Sequence, residues 1–135
     1  MLAPKKTKHR KHFQIKPKGK SARGTEISFG SFGMKALESR WLSSRQIESA
    51  RRVMTKYMQR GGKMWIRIFP DLVITKKSGE IPMGKGKGDP DHFVAVVQRG
   101  RVLFELEGIK EDMAKKAIEL AGYKLPMKIK FIKKD

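Results

Sequence analysis

A loop rich in glycine and lysine, Met83-Gly84-Lys85-Gly86-Lys87-Gly88, comes closest in this sequence to a catalytic motif. With Gly79 it matches the phosphate-binding pattern Gly-x-x-x-x-Gly-Lys-[Ser/Thr] except at the last position, where Gly86 has no hydroxyl to bind Mg²⁺. Pro82 removes an amide donor, and the turn-forming Asp89-Pro90-Asp91 follows where a nucleotide-binding loop would lead into a helix. An NTP-binding enzyme that uses residues 79–86 is therefore an alternative that the motif and its context disfavour.

Other residues that could carry chemistry are few, and we predict neither a catalytic nor a metal site. The three histidines have no cysteine partners and no His-Glu-x-x-His spacing, so zinc binding is not expected. Glu105 and Glu107 are expected on the exposed side of a strand, and Glu111 and Asp112 suit the first turn of a helix. We therefore predict that the protein is not an enzyme and needs no cofactor.

The charge balance points to a polyanionic partner. The 135 residues include 32 Lys and Arg but 13 Asp and Glu, which gives a formal charge of +19 and a pI near 10.5. Nucleic acid fits best, because basic side chains on phosphates also gain from counterion release. The sequence has no cysteine and no apolar run long enough for a membrane span or a signal peptide. We therefore expect no membrane association and a location in the cytoplasm or inside an organelle.

Residues 1–24 form a basic segment that we predict to be an RNA-binding arm, followed by a single domain at 25–135. The segment contains no acidic residue, and its few apolar side chains cannot form a core. A solvated, disordered tail is the alternative, but His9, His12 and Phe13 lie among the charges, as suits an arm that orders on RNA. The basic residues of the arm are Lys5, Lys6, Lys8, Arg10, Lys11, Lys16, Lys18, Lys20 and Arg23.

The clearest helix signal starts at Ser43, whose side chain forms a predicted capping box with Gln46. Leu42 and Ile47 flank this cap as a hydrophobic staple, and Gly61-Gly62 ends the helix. Five residues at helical spacing predict its buried stripe: Ile47, Ala50, Met54, Tyr57 and Met58.

The rest of this helix is basic, and Glu48 is the only acid between Arg45 and Arg60. A solubilising surface normally mixes charges of both signs. We therefore predict that this surface binds RNA, with a merely solvated face as the alternative. The residues are Arg45, Arg51, Arg52, Lys56 and Arg60.

The remaining periodicity predicts an α+β fold. Strands are expected at 25–37, 63–69 and 127–131, with a short one at 73–75 before a basic loop at 76–91 that includes Lys76 and Lys77. Residues 93–98 and 102–107 read as a hairpin around Gly100. A second helix starts at Glu111, and its predicted buried stripe is Met113, Ala114, Ala117, Ile118 and Ala121. The simplest arrangement is an antiparallel or mixed sheet with both helices packed on one face.

Several long stretches resemble the family of bacterial large-subunit ribosomal protein sixteen, which is shared with the archaeal and eukaryotic large-subunit protein ten-e. The match runs in order along nearly the whole chain. Its motifs are MLAPKKTKHRK at 1–11, GTEISFGSFGMKAL at 24–37, RQIESARR at 45–52, WIRIFPD at 65–71 and MGKGKG at 83–88.

The resemblance implies a constituent of the large ribosomal subunit that binds 23S-type rRNA and helps to position tRNA at the aminoacyl site, near the peptidyl-transferase centre. It implies that the arm threads into rRNA, that residues 83–88 reach towards tRNA with Lys76 and Lys77 as nearby RNA-binding charges, and that Arg51 and Arg52 contact RNA or the body of the tRNA. Implied partners are rRNA, tRNA and neighbouring large-subunit proteins, with the chain a monomer within the ribosome. Many relatives carry arginine where this chain has Pro82, so no role of that guanidinium is carried over. A standalone RNA- or DNA-binding chaperone is the other alternative.

Overall fold

A computed structural model describes residues 24–58, 61–76 and 89–134. The predicted arm up to Arg23 and the loop residues 77–88 lie outside these ranges, as do Arg60 and residues 59 and 135. The elements in chain order are β1 (Phe32–Ala36), β2 (Arg40–Ser43), α1 (Ser44–Met58), β3 (Lys63–Ile66), β4 (Leu72–Lys76), β5 (Asp89–Val97), β6 (Val102–Glu107), α2 (Glu111–Gly122) and β7 (Ile129–Lys133).

The described strands form two antiparallel sheets, which confirms the predicted α+β class. The larger sheet has the order β3-β6-β1-β7, and the smaller has the order β2-β5-β4. Helix α1 packs against β2 and β5, α2 packs against β1 and β7, and the two helices pack against each other. The sequence predicted a single sheet, whereas the structure has two, and strand β2 was not predicted.

The predicted hairpin of residues 93–98 and 102–107 is wrong as a strand pair. The turn itself exists, since the amide of Arg101 donates to the carbonyl of Gln98 at 3.2 Å. However, Gly100 N–H donates to the carbonyl of Ala36, and Ala36 N–H donates to the carbonyl of Arg101. The end of β1 is therefore hydrogen-bonded to residues of the turn. Strands β5 and β6 belong to different sheets, and each pairs with other strands.

One apolar core joins the helices to both sheets. Its fully buried members include Met34 and Phe104 from the large sheet, Leu42 and Val97 from the small sheet, and Ile118 from α2. Most of the predicted helical stripes are confirmed, because Ile47, Ala50, Met54 and Met58 of α1 and Ala114, Ala117, Ile118 and Ala121 of α2 are buried. The two exceptions lie at the edges of these stripes, where Tyr57 is 37% and Met113 39% exposed.

Residues 24–31, which we call the strap, were predicted within the first strand but lie against β6 of the large sheet before β1 begins. The amide of Ser31 donates to the carbonyl of Leu106 in β6 at 3.0 Å. A Cβ atom at Gly30 would lie 2.6 Å from the same carbonyl oxygen, so the strap can approach β6 this closely only with glycine there.

Candidate nucleic-acid interface

The basic surface predicted on the first helix falls on α1, apart from Arg60, which lies outside the described residues, and its four described residues have different environments. Arg45, Arg52 and Lys56 are exposed, and they lie seven and four residues apart, about two turns and one turn of helix. This spacing lines the three up on the side of α1 opposite the buried Ile47 and Met54. We call these three residues the α1 basic face.

The start of α1 is fixed by the capping box that the sequence predicted. The amide of Ser43 donates to Oε1 of Gln46 at 2.9 Å, and the amide of Gln46 donates to Oγ of Ser43 at 3.2 Å. These reciprocal bonds satisfy two amides that a helix N-terminus leaves without partners. Since Ser43 also ends β2, the cap ties the helix and its basic face directly to the small sheet.

Arg51 belongs to a local ion pair and does not share the orientation of the α1 basic face. Its guanidinium donates to the Glu48 carboxylate from both Nε and Nη2. The Arg51 side chain is 36% exposed, whereas that of Arg52 is 76% exposed and reaches Glu48 only at 3.6 Å. The hydrogen bond from Arg51 outweighs partial burial and lowers the pKa of Glu48. Of the two adjacent arginines, Arg52 is therefore the one presented to a partner.

Glu105 corrects the sequence prediction most clearly, because its side chain is fully buried and not on an exposed strand face. Its carboxylate accepts hydrogen bonds from the amides of Ser28, Phe29 and Gly30 in the strap, at 2.7 to 3.2 Å. Nη1 of Arg67 lies 2.5 Å from Oε2 and also donates to the carbonyl of Glu26 at 3.0 Å. Glu107, two residues along the strand, is exposed as expected. We call Glu105 with these partners the Glu105 anchor.

The hydrogen bonds of the anchor favour the charged form of Glu105. Burial alone would raise the pKa of this carboxyl group, but the amides of Gly30, Phe29 and Ser28 and the guanidinium of Arg67 lower it below the usual 4.5. A buried charge that has several donors and an ionic partner is compensated, so the anchor can hold the strap rigidly against β6.

An aromatic surface continues outward from the anchor. The rings of Phe29 and Trp65 stack with centroids 6.1 Å apart, and the guanidinium carbon of Arg67 lies 5.4 Å from the centroid of Phe29. Phe29 remains 57% exposed, and Phe69, just beyond β3, is 48% exposed. Aromatic rings beside arginine are the side-chain combination on which unpaired bases stack.

The glycine- and lysine-rich loop has its two ends held together by the small sheet. β4 and β5 pair antiparallel, and Lys76 lies opposite Asp89 in the register. The element that follows the loop is thus a strand and not a helix, as the sequence predicted, so the context of a nucleotide-binding loop is lacking. The predicted bounds of the loop were too wide, because Lys76 belongs to β4 and residues 89–91, predicted as a turn, belong to β5. Lys77 and Met83 to Gly88 lie outside the described residues, so their predicted roles stay predictions.

Within the described residues, no cluster of three or more His, Cys, Asp or Glu side chains could hold a metal ion. No helix in the same part of the chain has the length and apolar character needed to cross a membrane.

Comparison with known proteins places this chain beside ribosomal proteins. The family model described as ribosomal protein L16p/L10e matches residues 4–132. The chain is 52% identical over 135 residues to large ribosomal subunit protein uL16c of Cyanidium caldarium, covering 100% of the chain and 96% of that relative. It is 54% identical over 132 residues to large ribosomal subunit protein uL16 of Parabacteroides distasonis, covering 98% and 92%. The corresponding protein of Phaeodactylum tricornutum, uL16c, is 53% identical over 135 residues, covering 100% and 98%.

Proposed function

We infer the function of this chain from the family to which it belongs, that of ribosomal protein L16p/L10e. It is a ribosomal protein of the large subunit, and we propose that it binds 23S-type rRNA and helps to position tRNA at the aminoacyl site. The observation that carries the proposal is the α1 basic face, a row of three cations on a capped helix whose nearest acid, Glu48, is bound to Arg51. Relatives in this family include bacterial proteins and those named uL16c, so the ribosome concerned is cytoplasmic or organellar.

The proposed mechanism is positional. Lysine and arginine side chains neutralise phosphates and so fix the register of RNA helices, while the chemistry of peptide transfer belongs to RNA. The arm adds nine cations and the loop adds Lys85 and Lys87. The basic helix and the two basic segments together offer many cations for phosphate contacts. This arrangement favours a structural role and not an enzymatic one.

Removal of the charge on the α1 basic face is expected to weaken rRNA binding without unfolding the protein. In the triple variant Arg45→Gln, Arg52→Gln, Lys56→Gln, each lost phosphate contact should flatten the slope of log K against log salt by about 0.7 to 0.9, so by about 2 to 3 in total. The measurement is the affinity for 23S-type rRNA fragments as a function of salt, together with the thermal unfolding midpoint. Exposed side chains without buried partners contribute little to folding stability, so the midpoint should hardly change.

Two controls make this experiment specific. Lys115→Gln, Lys116→Gln, Lys124→Gln removes the same net charge from exposed positions on and after α2 and should change the slope much less. Arg51→Gln should leave the slope nearly unchanged, because Glu48 already neutralises that guanidinium. Equal losses in the two triple variants would show that net charge alone matters, and the α1 basic face would then have no specific role.

Lys85→Ala with Lys87→Ala is expected to impair tRNA binding at the aminoacyl site of ribosomes that carry the variant, by about tenfold, the factor that 1.4 kcal/mol represents. Folding should be unaffected, because the paired strands β4 and β5 hold the loop ends. Subunits reconstituted with the variant would be compared with wild type in a tRNA-binding assay and in translation. Lys115→Ala with Lys116→Ala is the matched control. Normal tRNA binding by the loop variant would refute the tRNA part of the proposal.

Sedimentation separates this function from the two alternatives. A large-subunit constituent should sediment with large subunits at a ratio of one copy per subunit and remain bound at moderate salt. A standalone chaperone would sediment substoichiometrically and wash off. Magnesium-dependent nucleotide binding by the isolated chain would instead support the enzyme alternative that uses residues 79–86.

A further inference from the structure

We propose that a pocket between the two sheets binds one unstacked nucleotide of single-stranded RNA. The pocket has a volume of about 560 Å³ and is lined by residues that follow β3, including Arg67, Phe69 and Asp71, and by Val96 of β5 and Arg101. This volume lies within the range of small-molecule sites. The inference rests on the proposed rRNA binding and adds a site at which that RNA has a flipped-out base. We call it the Phe69 pocket.

Phe69 and Val96 give the pocket an apolar surface that no part of the described chain covers. Phe69 is 48% exposed and Val96 is 37% exposed. Leaving an aromatic ring exposed to water costs free energy, so an exposed ring often marks a binding surface. In a chain with a formal charge of +19, a ring beside arginines can stack on a base while the arginines attract the phosphates. Because every base has a π-face, stacking on Phe69 would accept any of the four bases.

Arg101 supplies a cation with unused hydrogen-bonding capacity. Its Nη2 donates weakly to the carbonyl of Arg67, at 3.4 Å, whereas its Nε lies buried near Gly24 without a partner in the described part of the chain and does not face the pocket. Arg67 differs, since its guanidinium is bound to Glu105. Arg101 has no acidic partner among the described residues, so its charge is available for a phosphate.

Asp71 makes a nucleotide a better fit than a bare phosphate. It is exposed at the rim of the pocket, where its carboxylate repels a small anion but can accept a hydrogen bond from an N–H group of a base, either an exocyclic amine or the ring N–H of uracil. An RNA strand combines an aromatic face, N–H donors and a phosphate, which match Phe69, Asp71 and Arg101 respectively. A protein segment could also offer apolar side chains and N–H donors, but the formal charge of +19 and the proposed rRNA binding favour RNA as the occupant.

The test compares single-stranded and duplex RNA, using the full chain and two fluorescent probes, a uridine 12-mer and a 12-base-pair RNA duplex. Phe69→Leu keeps an apolar side chain but removes the ring, and it should weaken binding of the 12-mer by about five- to tenfold, a modest value for loss of base stacking. The duplex affinity should not change, because its bases are already stacked. Arg101→Gln should flatten the salt slope for the 12-mer by about 0.7, the value of one phosphate contact on a single strand.

Tyr123→Leu is the control, since Tyr123 is 74% exposed and lies outside this pocket. Photo-crosslinking of a 5-iodouridine 12-mer to the wild-type chain provides a second measurement that needs no variant, and the crosslink should fall on the peptide that contains Phe69. Equal effects of Phe69→Leu and Tyr123→Leu, equal losses for both probes, or crosslinks confined to other peptides would each overturn the inference.

The outcomes also separate this inference from the proposed function. A wild-type chain that binds rRNA and sediments with large subunits, but crosslinks elsewhere, would refute the pocket alone. A chain that crosslinks at Phe69 but does not join large subunits would refute the proposed function and leave the pocket intact.

Discussion

Glu105→Gln should lower the free energy of unfolding at pH 7 by about 3–5 kcal/mol, the usual effect of removing one partner from a buried ion pair. The substitution keeps the size of the side chain but leaves Arg67 without its carboxylate. It also turns an amide group towards the backbone amides of Ser28, Phe29 and Gly30, which need acceptors. Since a domain of this size is stable by about 5–15 kcal/mol, the loss should be large enough to partly unfold the protein on mild heating. Chemical denaturation with a fitted unfolding curve measures it.

The pH dependence distinguishes the lost charge from a simple loss of packing. The pKa of Glu105 is lower in the folded chain than the usual 4.5, so its contribution is fully present above that pH and is lost as pH falls through the folded pKa. The stability gap between wild type and Glu105→Gln should therefore begin to narrow below about pH 4.5, where Glu105 of the unfolded chain becomes protonated, and should narrow further as pH falls through the lower pKa of the folded chain. A gap that stays constant down to pH 3 would contradict the electrostatic account.

Glu107→Gln is the matched control, because it makes the same chemical change two residues along β6 at an exposed position. It should change stability by no more than about 0.5 kcal/mol. Equal effects of the two substitutions would show that the Glu105 anchor does not hold the strap.

Local signals in the sequence were sufficient for the helices. The capping box of Ser43 and Gln46 depends on residues three positions apart, and the buried stripes depend on spacing within one helix. Both the cap and the buried stripe depend on residues that are close in the sequence, and these predictions were confirmed. They failed only at the stripe edges, where the direction of Tyr57 and Met113 depends on how far neighbouring elements extend over the helix.

Long-range pairing is what the sequence could not supply. Residues 93–107 were predicted to form a hairpin because two apolar runs flank a glycine turn. In the structure Ala36 of β1 forms hydrogen bonds with Gly100 and Arg101 of that turn, and the two runs do not pair. Glu105 was assigned to an exposed face because its donors lie 75 to 77 residues earlier in the chain. One signal was available: Glu105 lies between Phe104 and Leu106 in a strand with apolar residues at every position before it. An acid there needs a cationic partner, and Arg67, in the predicted strand at 63–69, was a candidate.

In the candidate site, too, the local features could be predicted from the sequence and the long-range ones could not. The abundance of arginine on the first helix predicted a basic surface, and the helical repeat then separates Arg45, Arg52 and Lys56 from Arg51. The pairing of Arg51 with Glu48 is local, at a spacing of three residues, and could have been predicted from helix geometry. The Phe69 pocket could not, because it requires β5 and the segment after β3 to meet between two sheets.

The Glu105 anchor also determines where the arm begins. The strap that it holds starts at Gly24, whose carbonyl accepts a hydrogen bond from the amide of Val102 at 2.6 Å. Any basic segment before Gly24 must therefore leave the domain from a fixed point beside β6. If the predicted arm binds RNA, this fixed origin favours RNA that passes near β6.

Removal of residues 1–23 should consequently abolish most of the salt-dependent rRNA affinity while the domain stays folded. All nine basic residues of the arm precede Gly24. If about six of them contact phosphates, the slope of log K against log salt should flatten by about 4 to 5, and affinity at 0.1 M salt should fall by orders of magnitude. Truncation before Gly24 preserves the bond to Val102 and the anchor, so the unfolding midpoint should not change.

A full-length variant in which those nine residues are glutamine separates charge from chain length. It should lose the same salt dependence as the truncated chain if the arm acts through phosphate contacts. A smaller loss would show that His9, His12 and Phe13 contribute by stacking on bases, since these residues remain in the glutamine variant. An unchanged slope in the truncated chain would refute an RNA-binding arm, and rRNA affinity would then have to come from the folded domain and its α1 basic face.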